Sequence, residues 1–250
     1  NPHDVYQFIE RRVSIEPRAG IQPPLTMQND LAGKPSPQSK YLRDDQGKPT
    51  LDYTAADWIK YRSFYASLLE KADRCLATTL ESVEKPDNTI VAYTSDHGDA
   101  LGEHGLPFKG PFMYEPLIRV PLVIAGPGIK KNTVRSDFVT SVDIAPTLTG
   151  LAGFPWKTAT DGKDLSKGAS GRDAVFLEYY GKQHWVEPIR TIRTQDWKLN
   201  RYGNGESELY DLKNDPTETR NIAGNSQVAA IEQRLNTRLS HWWSASQQLR

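Results

Sequence analysis

The sequence has little cysteine, no excess of charge and no long hydrophobic run. Its 250 residues include one cysteine, Cys75, so no disulfide can form within the chain and no cysteine metal cluster exists. The 31 basic and 31 acidic side chains cancel, which removes the electrostatic basis for binding nucleic acid or an anionic membrane. No apolar run approaches the roughly 20 residues that a transmembrane helix needs. The composition is that of a globular protein.

The first residues contain no targeting signal. The chain starts at Asn1-Pro2-His3, with neither a methionine nor a signal-like segment. Composition alone therefore does not decide whether the protein is secreted. We expect the chain to begin in the middle of a larger protein. Its length suffices for one large domain, or for a domain with a small appendage.

The first part of the chain has the pattern of an α/β domain. From Thr54 to Val83, apolar residues recur at three- and four-residue steps. This spacing predicts a long amphipathic helix, with Thr54 and Asp57 as a capping box at its start. Two short apolar runs follow, 89–94 and 121–125, and such runs are typical of strands buried on both faces. A helix followed by buried strands that end in polar residues predicts an α/β sheet with a site at its carboxyl edge.

The last part of the chain has a different pattern. Short runs between turn residues predict a small antiparallel sheet, and the apolar side chains of the final segment predict one helix with a single apolar face. The short runs are 174–179, 189–194, 197–202 and 208–212. We therefore predict two parts, an α/β domain over residues 1–160 and a small α+β subdomain over residues 161–250.

The most suggestive polar motif follows the first predicted strand. Asp96-His97-Gly98-Asp99 lies where that strand gives way to a loop. A carboxylate in such a position can bind a cation, and a histidine beside it can be a second ligand or a proton carrier. The alternative is a simple turn, in which Asp96 caps the backbone and His97 is exposed. A motif this short often matches by chance.

The residues around this motif resemble the signature of the sulfatase family, within the alkaline-phosphatase superfamily. The resemblance runs without interruption from Thr94 to Leu122 and includes Lys109. Three further stretches agree with the family: 1–4, with its Pro-His pair, 141–148, and 208–221. The resemblance implies an alkaline-phosphatase-like α/β sheet domain, incomplete in this chain. It also implies a small C-terminal antiparallel sheet with one packed helix.

The resemblance also implies roles for individual residues. Asp96, with His97, would bind one divalent cation, calcium, and Lys109 would contact the substrate sulfate. His3 would assist the departing oxygen. Calcium prefers oxygen ligands, so the alternative for His97 is a bond to the nucleophile or to the sulfate. His184 and Trp185, between two predicted strands, are candidate substrate-binding residues of a sugar subsite, with a surface loop as the alternative.

The family makes its nucleophile, a formylglycine, from the cysteine of a Cys-x-Pro-x-Arg motif. Cys75 is outside any such motif, and we interpret it as a residue that packs in the long helix. The resemblance therefore implies that the nucleophile lies outside this chain. We expect the chain to be inactive alone and to need the N-terminal half of the same protein as its partner.

The function implied by the resemblance is that of a sulfuric ester hydrolase, a sulfatase that removes sulfate from a sulfated carbohydrate. The family also implies a secreted, periplasmic or lysosomal location. Two alternatives stay open: a phosphoester or phosphonate hydrolase of the same superfamily, and a non-catalytic binding protein that keeps the fold. The residues that precede Asn1 would separate them, because a sulfatase needs the Cys-x-Pro-x-Arg motif or its serine equivalent there.

Overall fold

The computed structural model describes residues 15–27, 31–181 and 187–248. The predicted leaving-group residue His3 and the predicted sugar-binding residues His184 and Trp185 lie outside the described residues. None of the helices in the described ranges is long and apolar enough to cross a membrane.

The long helix forms where the spacing of apolar residues predicts it. A short helix, α1 (Ser36–Asp44), precedes α2 (Ala55–Glu81). The capping box is confirmed: the Asp57 amide donates to the Thr54 hydroxyl, and the Thr54 amide donates to the Asp57 carboxylate at 2.9 Å. Cys75 is exposed on α2, so its predicted packing role is wrong for the described chain.

The first two strands pair with each other. β1 (Val91–Thr94) and β2 (Leu122–Ala125) run antiparallel, with Thr94 opposite Leu122. The prediction of two strands is confirmed, but the prediction that both of their faces are buried is wrong for the described chain. Tyr93 is 44% exposed and Val123 is 58% exposed. The physical reason is that, among the described residues, each of these strands has only the other as a sheet neighbour.

A buried carboxylate connects two segments in the middle of the chain. The short helix α3 (Glu115–Ile118) precedes β2, and α4 (Ile144–Leu151) follows it. Asp143, just before α4, is fully buried and forms two 2.7 Å bonds with the guanidinium of Arg172. Its carboxylate also accepts from the amides of Thr140 and Lys163, at 2.8 and 2.7 Å. Asp143 therefore connects α4 to the segment that leads into the last sheet.

The predicted antiparallel sheet with one helix is confirmed. Four strands pair in chain order, and one helix packs on them: β3 (Ala174–Tyr179), β4 (Ile189–Thr194), β5 (Trp197–Tyr202), β6 (Ser207–Asp211) and α5 (Ala229–Gln248). Leu199 and Leu209 of the sheet form a buried cluster with Leu235 and Leu239 of the helix. Tyr210 packs instead with Tyr41 and Leu106 of the first part. The division near residue 160 stays a prediction.

Candidate functional site

The predicted metal-binding aspartate lies in a tight loop directly after β1. The Thr94 hydroxyl donates to the carbonyl oxygen of Pro121 at 2.8 Å, which holds the end of β1 to the start of β2. The Ser95 hydroxyl donates to the His97 carbonyl oxygen at 2.8 Å, and the His97 amide donates to Asp96 Oδ1 at 3.0 Å. The side chain of Asp96 is 80% exposed. The backbone thus holds Asp96 in place and leaves most of its carboxylate accessible.

Lys109 meets His97 across this loop. Lys109 Nζ lies 3.0 Å from His97 Nε2, and His97 Nδ1 lies 2.7 Å from the carbonyl oxygen of Gly98. A carbonyl oxygen only accepts, so Nδ1 carries the hydrogen and Nε2 accepts from the lysine ammonium. Asp96 Oδ2 lies 3.4 Å from the same Nε2. Three residues that are separated by up to 13 positions in the sequence therefore come together at one point.

The charges at this point favour an ionised Asp96. Burial acts to raise the pKa of Asp96, but the electrostatic interaction with the His97 side chain, the His97 amide and, more weakly, the charge of Lys109 outweigh it. The pKa of Asp96 therefore lies below its usual value. An exposed, ionised carboxylate beside a lysine is suited to bind a cation and an oxyanion at neighbouring positions.

Gly98 is required by a close contact with α3. The Gly98 amide donates to the carbonyl oxygen of Leu117 at 2.8 Å. A Cβ atom at this position would lie 1.8 Å from the carbonyl oxygen of Pro116. The loop that carries Asp96 therefore lies directly on the backbone of α3.

The segment between Asp99 and Lys109 forms a loop, as its glycines and prolines predict. Asp99 begins it, with Oδ1 accepting from the Leu101 amide at 2.9 Å, and burial raises the pKa of Asp99 to about 6. The Ala100 amide then donates to the Phe108 carbonyl oxygen at 2.8 Å, which closes the loop next to Lys109. Asp99 had no predicted role, and in this structure it stabilises the loop.

His104 has a structural place in this loop. The residue is 2% exposed, its ring stacks on Tyr114 with centroids 4.0 Å apart, and its amide donates to the Thr26 hydroxyl at 2.8 Å. Burial is the main cause that lowers the pKa of His104 to about 3. A buried imidazole of this kind supports the loop.

We expect His104 to make the fold sensitive to acid. Its lowered pKa means that the stabilisation by the neutral ring is fully present above about pH 6.5 and is lost as the pH falls towards about 3. In that window the free energy of unfolding should fall by up to about 1.4 kcal/mol per pH unit from this group. Urea unfolding of the complete protein between pH 7 and pH 4 measures this slope.

His104→Phe, which keeps the aromatic stack, should have the shallower slope. His241→Phe, which changes an exposed histidine on α5, is the control and should retain the slope of the parent protein. Equal slopes in His104→Phe and the parent would contradict the assignment.

The described residues provide only part of a metal site. Within residues 15–27, 31–181 and 187–248, no three His, Cys, Asp or Glu side chains are arranged to hold an ion. Asp96 has an accessible carboxylate, whereas both ring nitrogens of His97 are engaged, with Gly98 and with Lys109. Calcium takes six to eight oxygen ligands. Asp96 therefore fits as one ligand of a hard cation, and His97 fits better as the hydrogen-bonding partner of Lys109.

Sequence patterns missed a buried ionic cluster behind the site. It comprises Glu115 of α3, Arg193 of β4, Lys198 of β5 and Glu218 after β6. The available signal was Lys198 itself, a charged residue between the apolar Trp197 and Leu199 of a predicted strand. Such a residue is almost never fully buried unless it is paired.

Two family models match the chain. The model described as "Sulfatase" matches residues 19–154, and the model described as "N-sulphoglucosamine sulphohydrolase, C-terminal" matches residues 102–245. Each match covers more than half of the chain. The chain belongs to the sulfatase family.

Three known proteins are similar to this chain in sequence or in fold. The N-acetylglucosamine-6-O-sulfatase of Bacteroides thetaiotaomicron is 35% identical over 213 residues, which cover 79% of this chain and 38% of that protein. A solved 2-O GAG sulfatase superposes with a TM-score of 0.85 at 25% identity, over 99% of this chain and 58% of that chain. The phosphonate monoester hydrolase of Agrobacterium radiobacter superposes with a TM-score of 0.69 at 27% identity, over 78% of this chain and 43% of that chain.

These likenesses confirm the predicted α/β sulfatase fold with its small C-terminal sheet. The chain spans less than two thirds of the length of each of these three proteins.

Proposed function

We propose that the complete protein containing this chain is a sulfuric ester hydrolase that removes sulfate from a sulfated carbohydrate. The observation that carries the proposal is the meeting of Asp96, His97 and Lys109 at the end of β1. The names of the N-acetylglucosamine-6-O-sulfatase and the 2-O GAG sulfatase support the reaction and the carbohydrate substrate.

Each of the three residues has a distinct proposed role. Asp96 holds one divalent cation, with calcium favoured because a carboxylate is a hard oxygen ligand. When bound, that cation supplies positive charge that stabilises the sulfate oxygens. Lys109 places a compact ammonium on the same oxygens. His97 accepts a hydrogen bond from Lys109 at Nε2 and so orients the ammonium.

Other parts of the proposed site lie outside the described residues. His3 assists the departing oxygen, and His184 and Trp185 line a sugar subsite. A formylglycine nucleophile and further metal ligands come from the N-terminal half of the same protein.

The exposed Tyr93 and Val123 of β1 and β2 support a place for that half against this sheet, because apolar strand faces of this kind are usually covered. We also propose a secreted, periplasmic or lysosomal location, and a subdomain boundary near residue 160.

The proposal is tested by turnover in the complete protein. Glucosamine 6-sulfate, glucosamine 6-phosphate and an aryl phosphonate monoester serve as matched substrates. We expect release of sulfate at a kcat/KM well above that for the other two esters, and no release by residues 1–250 alone. The chain alone should fail because its described residues supply only part of a metal site.

The alternatives correspond to other outcomes. The likeness to the phosphonate monoester hydrolase favours phosphonate hydrolysis as the second candidate, and preferential turnover of the phosphonate would establish it in place of the sulfatase proposal. Binding of the sulfated sugar without turnover of any ester by the complete protein would indicate a binding protein that keeps the fold.

A further inference from the structure

The buried ionic cluster connects the small sheet to α3. Lys198 of β5 is fully buried, and its ammonium lies 3.3 Å from Glu115 Oε1 and forms a short ion pair with Glu218 Oε1. The other oxygen of Glu218 accepts from the Glu115 amide at 2.7 Å. Arg193 of β4 lies 3.1 Å from Glu115 Oε2. The first residue of α3 is therefore held by its backbone and by both carboxylate oxygens.

The electrostatics make the cluster sensitive to loss of a member. Burial acts to raise the pKa of Glu115, but Lys198 and Arg193 outweigh it and lower that pKa. Burial raises the pKa of Glu218, with the charge of Lys198 opposing it. Removing one partner of a buried ion pair leaves an uncompensated charge, whereas well-packed apolar residues at such sites are often as stable. The role of this cluster is therefore better explained by the orientation that it gives to α3 than by a gain in the free energy of unfolding.

The backbone of α3 connects the cluster to the proposed site. Glu115 begins α3, and the carbonyl oxygen of Leu117 in α3 accepts from the Gly98 amide at 2.8 Å. Gly98 lies so close to Pro116 that even a methyl group would not fit. His97 bonds through Nδ1 to the carbonyl oxygen of Gly98. A displacement of α3 would therefore also displace Gly98 and His97.

We propose that Lys198 is a positioning residue that, through Glu115 and Glu218, fixes α3 against Gly98 and so holds the segment 96–99 in its working geometry. Its effect on turnover rests on the proposed sulfatase function, whereas its effect on the order of the segment does not. Through Lys198, the small C-terminal sheet thus supports the segment 96–99 of the proposed site.

The test compares Lys198→Met and Glu115→Gln with Arg172→Met in the complete protein. Arg172→Met is the matched control, because it removes the partner of another fully buried carboxylate, Asp143, in a different part of the fold. Glu115→Gln keeps the shape of the side chain, so it remains informative if Lys198→Met does not fold. Amide hydrogen exchange of the peptide that spans residues 96–101 is measured together with kcat, KM and the midpoint of thermal unfolding.

We expect Lys198→Met and Glu115→Gln to speed exchange in 96–101 by about tenfold or more, because a held segment opens more often when its support is lost. The kcat should fall by about tenfold or more with KM nearly unchanged, since small misplacements of catalytic groups are costly. Arg172→Met should lower the unfolding midpoint without either change. The Lys198→Arg variant, which keeps the charge, should recover part of the lost kcat.

The outcomes separate this proposal from the proposed function. Unchanged exchange in 96–101 for both variants would overturn the positioning role, whatever reaction the protein catalyses. Faster exchange with unchanged kcat would also overturn it, because the cluster would then hold a segment whose geometry does not matter. If both variants exchange faster in 96–101 but the parent protein hydrolyses no sulfate ester, the cluster still holds the segment 96–99 and the sulfatase function is rejected.

Discussion

Replacement of Lys109 by alanine is expected to lower the kcat of the complete protein by about a hundredfold or more, the effect of losing one donor to transition-state charge. Negative charge grows on the bridging oxygen of a sulfate ester as the S–O bond breaks. The Lys109 ammonium lies 3.0 Å from His97 Nε2, beside Asp96. Its interaction with the sulfate therefore strengthens during the reaction and should affect kcat more than KM.

Stability should change little in this variant. Lys109 and His97 are only partly buried, and a hydrogen bond of this kind has a net worth of about 1 kcal/mol. Lys131→Ala, in an exposed loop, is the control and should leave kcat within about twofold, as surface substitutions usually do. Near-normal turnover of the true substrate by Lys109→Ala would remove Lys109 from the proposed machinery.

Replacement of Asp96 by alanine is expected to weaken binding of calcium by at least about a hundredfold and to abolish turnover. Loss of a residue that only supports a metal ligand lowers metal affinity by up to about a hundredfold, and loss of a ligand itself should cost at least as much. Asp96 is the accessible carboxylate at the end of β1, and its lowered pKa keeps it ionised at neutral pH. Isothermal titration with calcium and the metal content of the purified protein measure binding independently of activity.

The control for this variant is Asp173→Ala. The side chain of Asp173 is 82% exposed, close to the 80% of Asp96, and it pairs with Arg238 far from the site in sequence. The two variants should unfold at similar temperatures, because neither loses a buried contact. Full calcium binding by Asp96→Ala would show that other residues bind the cation.

The sequence alone was sufficient for the local elements and for the family. The capping box of Thr54 and Asp57, the long helix that follows and the four short strands of the last sheet were all predictable. Each depends on residues within a few positions of one another, where spacing and turn chemistry act directly. The resemblance around Asp96 and Lys109 identified the family, which the matching family models confirm.

Contacts between distant residues were decided only by the tertiary structure. Sequence proximity left open whether His97 would bind a metal or bond to another residue, and its two ring nitrogens are engaged by Gly98 and Lys109. Burial of both faces of β1 and β2 was predicted from their apolar composition and does not hold in the described chain. Composition records what a strand can bury, whereas the neighbouring elements determine what it does bury.

The ionic cluster shows the same limit most clearly. Lys198 and Glu115 are 83 positions apart, and a lysine in a strand pattern carries no information about which acid will meet it. The pairing arises because β5 and α3 meet in the fold, and the cost of an unpaired buried charge then selects the partner. The sequence by itself therefore determined the elements and the family, and the tertiary structure decided which charges support the site.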